Sequence, residues 1–251
     1  MTMKTLLLAA IAAVSTATTA GELTLMSYNI RGGLGMDDFW DLGRSITVVK
    51  KVRPDVLCLQ EVDIGTSRSF GVNEPQAMGH ILRPIWRYSF SKTMDAMGGD
   101  YGIAMLYAEK PLSEEKIIYP KAAEKNEPRS LLVCEFKDYV VCSTHLTLID
   151  DERPLAIETM VKTAAKFDKP VFIAGDFNST PDSPFMKELQ KHFTILSDTN
   201  VKTAPANNPN CTIDYVVVDN AHAQGVKVEE FKVLDEKEAS DHRPLVVKIK
   251  Y

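Results

Sequence analysis

The stretch Val171-Phe-Ile-Ala-Gly-Asp176-Phe-Asn178-Ser-Thr-Pro-Asp-Ser-Pro184 constrains this chain more than any other. A short apolar run between Pro170 and Gly175 reads as a buried strand, and it ends on a carboxylate and an amide two residues apart. In extended backbone, residues i and i+2 point the same way, so Asp176 and Asn178 leave the strand together. Open α/β sheets place ligands at the carboxyl ends of their strands. An anionic acceptor beside a neutral donor suits a water held against a phosphate. A strand followed by an Asx-type turn accounts for the same residues without any function, because Asp, Asn, Ser and Pro all favour turns.

Other segments end in the same manner. Residues 22–31 alternate as a strand that carries Asn29 and breaks at Gly32-Gly33. Asp37 or Asp38 then caps a helix whose apolar positions Phe39, Leu42, Ile46 and Val49 recur at helical spacing, with Trp40 packing beside them. Pro54 stops that helix, and residues 56–62 read as a second buried strand bearing Glu61. Strand, helix, strand is the unit of parallel and mixed sheets.

Residues 63–74 turn polar and read as a loop over the site, carrying Arg68. A short helix is expected over 76–82, a Gly-rich and Met-rich connection over 91–100, and a strand over 101–107. A short strand is expected over 116–119. Residues 129–136 and 139–146 form a hairpin whose second arm ends on Ser143-Thr-His145. Helices are expected over 154–167, with Pro154 suited to the first turn, and over 183–192. Residues 200–211 read as a surface loop, 212–218 as a strand bearing Asp214, and 226–234 as another. Ser240-Asp241-His242-Arg-Pro leads into a last strand over 245–250.

At 251 residues, with 45% hydrophobic and 25% charged residues, the composition is that of a globular protein able to bury a large core. Residues 1–20 combine Lys4, an apolar run too short to span a bilayer and a small-residue cleavage region, the pattern of a secretory signal. No cysteine follows to carry a lipid. The mature domain is therefore expected over 21–251, exported to the periplasm or beyond, with no transmembrane segment. The formal net charge is -5, and removal of Lys4 makes it more negative. This weakens a nucleic-acid reading without excluding one.

Of the four cysteines, Cys58, Cys134 and Cys142 lie in apolar runs, where buried free thiols are common. A two-residue turn at Lys137-Asp138 would put Cys134 and Cys142 on opposite faces of the hairpin, whereas a three-residue loop would set them against each other. Neither Cys nor His spacing matches a zinc site. His80, His192 and His222 lie outside every motif and read as surface or helix-end residues. Ser240-Asp241-His242 is no hydrolytic triad, since adjacent residues cannot converge as that chemistry requires.

Asn29, Glu61, His145, Asp176, Asn178, Asp214, Asp241 and His242 thus sit at the ends of predicted strands. Oxygen donors such as Glu61 and Asp241 suit a hard cation, above all Mg²⁺, with Mn²⁺ or Ca²⁺ as alternatives. Such a set fits metal-assisted phosphoester hydrolysis, with Asp176 orienting or deprotonating the attacking water.

The motifs Ser27-Tyr-Asn29-Ile-Arg, Leu59-Gln-Glu61-Val, Ser143-Thr-His145-Leu, Gly175-Asp176-Phe-Asn178, Ile213-Asp214-Tyr-Val and Ser240-Asp241-His242-Arg-Pro-Leu occur in the order of the endonuclease/exonuclease/phosphatase (DNase I-like) superfamily. The chain resembles its secreted bacterial-type members along nearly the whole of 21–251. The resemblance implies a four-layer α/β/β/α sandwich of two mixed β-sheets flanked by helices, with the site at one end. It implies Glu61 as the principal metal ligand, with Asn29 on metal or phosphate, and Asp241 in the metal region. Asp176 would position the water and Asn178 hold the phosphate. His242, oriented by Asp214, would hydrogen-bond the phosphate or exchange protons, and His145 would contact the phosphate or the leaving side. Arg129, in Glu127-Pro-Arg-Ser, resembles an arginine that the family places near the site.

The expected function is divalent-metal-dependent hydrolysis of a phosphoester, with a phosphomonoester, inositol phosphate or phospholipid head group open as substrates. A secreted nuclease and a non-catalytic binding module on the same fold are the alternatives. Retention of Glu61, Asp176 and His242 weighs against the binder, and Trp86 is the one hint of a lipid-facing aromatic. Oligomeric state is not legible in the sequence.

Overall fold

The computed structural model describes residues 21–82 and 86–251; the signal segment expected over 1–20 lies outside the described residues. The elements run β1 (Glu22–Asn29), α1 (Leu42–Val52), β2 (Val56–Ile64), α2 (Glu74–Ile81), β3 (Arg87–Ala96), β4 (Gly99–Tyr107), β5 (Ser113–Ile118), β6 (Ser130–Glu135) and β7 (Val140–His145). They continue with α3 (Arg153–Ala164), β8 (Val171–Asp176), α4 (Pro184–Leu189), β9 (Phe193–Ile195), β10 (Asp214–Asp219), β11 (Lys227–Val233) and β12 (Leu245–Lys250).

The strands form two six-stranded mixed sheets, ordered β11-β12-β1-β2-β4-β3 and β5-β6-β7-β8-β10-β9. Each has one parallel pair at its centre, β1 with β2 and β7 with β8. Period-2 alternation sorts the side chains into three apolar layers. Leu23, Leu25, Cys58, Met105, Val141, Phe172, Ala174, Val216 and Val247 meet between the sheets. Met26, Tyr28, Leu57 and Leu59 face α1 and α2 on one outer side. Val140, Cys142, Ile173 and Val217 face α3 and α4 on the other. Helix, sheet, sheet, helix is the four-layer sandwich expected.

This alternation places the site. Ser27 and Asn29 share the parity of Leu25, Asp176 that of Ala174, Asp214 that of Val216, and His145 that of Val141, so all project between the sheets. Strand β1 lies against β8 and β2 against β7. The carboxyl ends of the two parallel pairs therefore open at one mouth, joined by the amino ends of β10, β4 and β12.

Several local expectations are corrected. Helix α1 is capped by Asp41, whose side chain accepts from Gly43 N at 2.9 Å, so Phe39 precedes it and is 67% exposed. The nearer Asp captured the first free amide. Residues 91–100 are not a loose connection: β3 pairs with β4 through Met94 to Ala96 around Met97-Gly98, and polar alternation on an edge strand hid it. Asp63 and Ile64 belong to β2 rather than to a loop, because a bulge between Leu59 and Val62 lets the strand run on. Residues 200–211 are the loop expected, and it is anchored. Ala206 N donates to Asp241 O at 2.7 Å, and Arg243 N to Thr203 O at 2.7 Å.

The hairpin of β6 and β7 uses the two-residue turn: Cys134 pairs with Val141, Val133 with Cys142, and all four cysteines are free thiols. Trp86 is buried in the layer beneath α1 and α2, which removes the lipid-facing hint. Among the described residues, no helix is long and apolar enough to cross a membrane.

Candidate active site

Asp176 is the hub. It ends β8, is almost wholly buried, and the glycine before it allows the close approach of β7, since a Cβ on Gly175 would overlap the Thr144 carbonyl. Its Oδ1 accepts from Asn178 N at 2.8 Å. Its Oδ2 lies 3.1 Å from Asn29 Nδ2, 3.4 Å from His145 Nε2 and 3.6 Å from His242 Nε2. Asn29, at the end of β1, donates to this oxygen, while His145 at the end of β7 and His242 in the turn before β12 bring their Nε2 atoms close to it. Burial pushes the Asp176 carboxyl up, against the opposing cation of His242.

The two histidines are held in opposite states. His242 Nδ1 is 2.9 Å from Asp214 Oδ2 and 3.1 Å from Oδ1. Burial alone would lower it, but Asp214 and then Asp176 raise it well above the ordinary imidazole range. His145 instead meets Arg129, whose Nη1 lies 2.7 Å from its Nδ1. A guanidinium can only donate, so Nδ1 of His145 accepts and the ring's proton sits on Nε2, facing Asp176. Burial, then Arg129 and His242, hold it well below the ordinary range, hence neutral.

Glu61 sits on the bulge of β2 with φ 54°, and Asn178 follows β8 with φ 48°. Left-handed backbone at two non-glycine residues of one cleft is local strain of the kind that clusters at functional sites. Asn29 Nδ2 bridges Glu61 Oε1, at 2.9 Å, to Asp176, while its Oδ1 accepts from Arg31 N at 3.1 Å. As arranged, the amide nitrogen of Asn29 faces the carboxylates. Asn178 Nδ2 is turned to Leu146 O at 2.9 Å. Asp241 stands farther out, with Oδ2 3.7 Å from Arg31 Nε.

The donor chemistry fits a hard divalent cation. Glu61 is only partly buried and gives one oxygen to Asn29, leaving the other without a bond among the described residues; Asp241 is a second carboxylate open to solvent. Asp176, Asp214 and His242 can bring one ligand atom each within 4.8 Å of one another. That trio is already satisfied as a carboxylate–imidazole–carboxylate chain, and an ion within it would have to displace the His242–Asp214 bond.

All eight strand-end residues and Arg129 therefore gather at one mouth, with Asp241 on its rim. The sequence reading missed the supports beneath. Ser240 Oγ donates to Asn29 O at 2.7 Å and accepts from His242 N at 3.3 Å, tying two site segments together. Buried Gln60 spans the sheets between Ser27, at 3.4 Å, and Ser143, at 3.5 Å. Arg153 Nη2 donates to Asn178 O at 2.9 Å. Ser240 and Gln60 lie inside quoted motifs, where position could have flagged them; nothing in the sequence marked Arg153.

The family model described as Endonuclease/Exonuclease/phosphatase family matches residues 26–242. The chain belongs to this family. Solved structures agree on the fold. A family protein from Bacteroides thetaiotaomicron superposes with a TM-score of 0.75 at 17% identity, covering 93% of this chain and 99% of that one. A mannosyl-6-phosphatase from the same species gives a TM-score of 0.72 at 18% identity, covering 91% and 100%. ANGEL2, a 2′,3′-cyclic phosphatase, gives 0.70 at 15% identity, covering 92% and 95%. No curated protein sequence matches the chain significantly.

Proposed function

We propose that this family member is a divalent-metal-dependent phosphoester hydrolase in which Asp176 positions and deprotonates an attacking water. The observation that carries the reading is the convergence of Asn29, His145 and His242 on one oxygen of a buried carboxylate. Asn29 fixes that oxygen by a hydrogen bond and the two imidazoles stand beside it before substrate arrives, which is the preorganisation an activated water needs.

Each residue then has a task. Cationic His242, anchored by Asp214, offers Nε2–H to a non-bridging phosphate oxygen and balances charge that develops there. Neutral His145, locked by Arg129, offers a second donor without adding a charge. Asn178, Asn29 and Arg129 contribute to holding the phosphate. Glu61 and Asp241 would hold Mg²⁺, or Mn²⁺ or Ca²⁺, with Asn29 joining them through Oδ1 once its amide turns over; when bound, the ion polarises the phosphoryl group and steadies the leaving oxygen. Removal of residues 1–20 on export belongs to the same proposal.

A small phosphomonoester or diester is favoured over nucleic acid. The acidic net charge argues against a protein built to neutralise a phosphate backbone, and a mannosyl-6-phosphatase is among the similar structures. The test is hydrolysis of p-nitrophenyl phosphate and bis-p-nitrophenyl phosphate with Mg²⁺ and then with EDTA, followed by a panel with DNA and phospholipid. Metal-dependent release of p-nitrophenol is expected. No metal-dependent turnover on any member would overturn the proposal in favour of a binding module.

A further inference from the structure

One wall of the mouth carries polar groups that the hydrolytic scheme does not use. Tyr101 stands on β4 opposite Asp63 of β2, on the parity of Ile103 and Met105, and so faces between the sheets. It is only 8% exposed, yet its phenol makes no hydrogen bond among the described residues. The charged groups bearing on that phenol are Glu61 first, then Arg129, Glu127 and Arg68. The phenol oxygen is not one of the fully buried unpaired atoms, so the hydroxyl reaches the mouth and is free to meet a ligand.

Arg68 flanks it, with its guanidinium carbon 5.5 Å from the Tyr101 ring centre. Buried Asp63 pins two of its nitrogens, Nε at 2.6 Å and Nη2 at 2.8 Å, and Thr66 Oγ1 donates to the same carboxylate at 2.7 Å. Asp63 is thus a positioning residue, and the arginine remains one-third exposed. On the other flank, Arg129 pairs with Glu127 at 3.1 Å. Two arginine–carboxylate pairs bracket one phenol.

We propose that Tyr101 and Arg68 form the subsite for the leaving group of the substrate, and that this group is a neutral sugar or polyol. The inference rests on the hydrolase reading. In-line displacement sets the leaving oxygen opposite the attacking water. The water belongs to Asp176 at the end of β8 in the second sheet, so the departing group passes Glu61 on the first, and the residues beyond Glu61 are Asp63, Tyr101 and Arg68. Asp63 already balances Arg68, and Glu127 balances Arg129, so neither arginine has an uncompensated charge to offer a second phosphate. Hydroxyl groups can use the donors and acceptors that remain.

The test compares a hexose 6-phosphate with cyclohexylmethyl phosphate, its ring analogue without hydroxyls, and with a hexose 1,6-bisphosphate, in Mg²⁺. The wild type should favour the hexose 6-phosphate in kcat/KM by tenfold or more over the other two. Tyr101→Phe, which keeps the ring's packing, should cut the preference over the hydroxyl-free ester about tenfold through KM, and Arg68→Lys should cut it further. Thermal melting checks that both variants fold. No hydroxyl preference in the wild type, proportional loss on both esters in Tyr101→Phe, or preference for the bisphosphate overturns the subsite alone. Absence of wild-type turnover on every ester overturns the hydrolase reading and the subsite with it.

Discussion

Arg129 Nη1 lies 2.7 Å from His145 Nδ1, and this one bond sets the tautomer of a buried histidine whose other nitrogen faces Asp176. A residue on the β5–β6 connection therefore decides what the β7 end can donate. Replacing Arg129 by Met should let the His145 pKa rise and free its ring to flip. The expected result is an upfield-shifting His145 Cε1 proton titration at higher pH than in the wild type, with kcat lower by about tenfold, as loss of a charge-assisted anchor implies. A wild-type titration in the variant would detach Arg129 from this role.

Asp176→Asn separates chemistry from folding. The carboxylate is buried and pushed up by that burial, so a neutral amide of the same shape removes a desolvated charge, which offsets the turning of its NH2 toward Asn29 or Asn178 N. Turnover should fall about 10²- to 10⁴-fold while Tm stays level or rises. Full activity in this variant would refute the assigned role.

Glu61→Gln should raise the Mg²⁺ concentration needed for half-maximal rate by about tenfold or more, with saturating metal restoring part of the activity. The measurement is a metal titration after treatment with EDTA. An unchanged half-saturation point would move the cation elsewhere.

Glu74 offers a prediction about stability. It caps no chemistry, is fully buried, and accepts from Asp63 N at 2.8 Å; burial raises its carboxyl to about 8, with that bond opposing. A folded pKa above the unfolded value means that the native state binds the extra proton. Its stabilising contribution is present below about 4.5, the ordinary value, and is lost as pH climbs toward 8. Glu74→Gln should flatten that slope, worth on the order of a few kcal/mol, in denaturant melts between pH 5 and pH 8. Parallel slopes in the two proteins would contradict it.

The sandwich and most of the site were legible because the signals are local. Strand period, the helix-start residues Pro154 and Ser183, and the polar ends at Asn29, Glu61, Asp176 and Asp214 need no knowledge of what lies across the cleft. Edge strand β3 escaped because its apolar face is short, with Tyr88 and Phe90 against the core and polar residues elsewhere, and the anchoring of residues 200–211 because its partners, Asp241 and Arg243, come about 35 to 40 residues later. Arg68 is a loop residue as expected, but its anchor on Asp63 was not legible, because the bulge at Glu61 that carries β2 on to Asp63 leaves no mark in composition.

By itself, the sequence determined which strands form, which of their faces are apolar and which polar side chains end them, since each depends on neighbours one or two residues away. Only the tertiary structure decided that His242 is charged while His145 is neutral, and that Tyr101 keeps an unpartnered hydroxyl beside Glu61. Protonation and pairing depend on distance in space, and those distances exist only once two sheets, closing over a common apolar layer, bring residues from opposite ends of the chain within a hydrogen bond of each other.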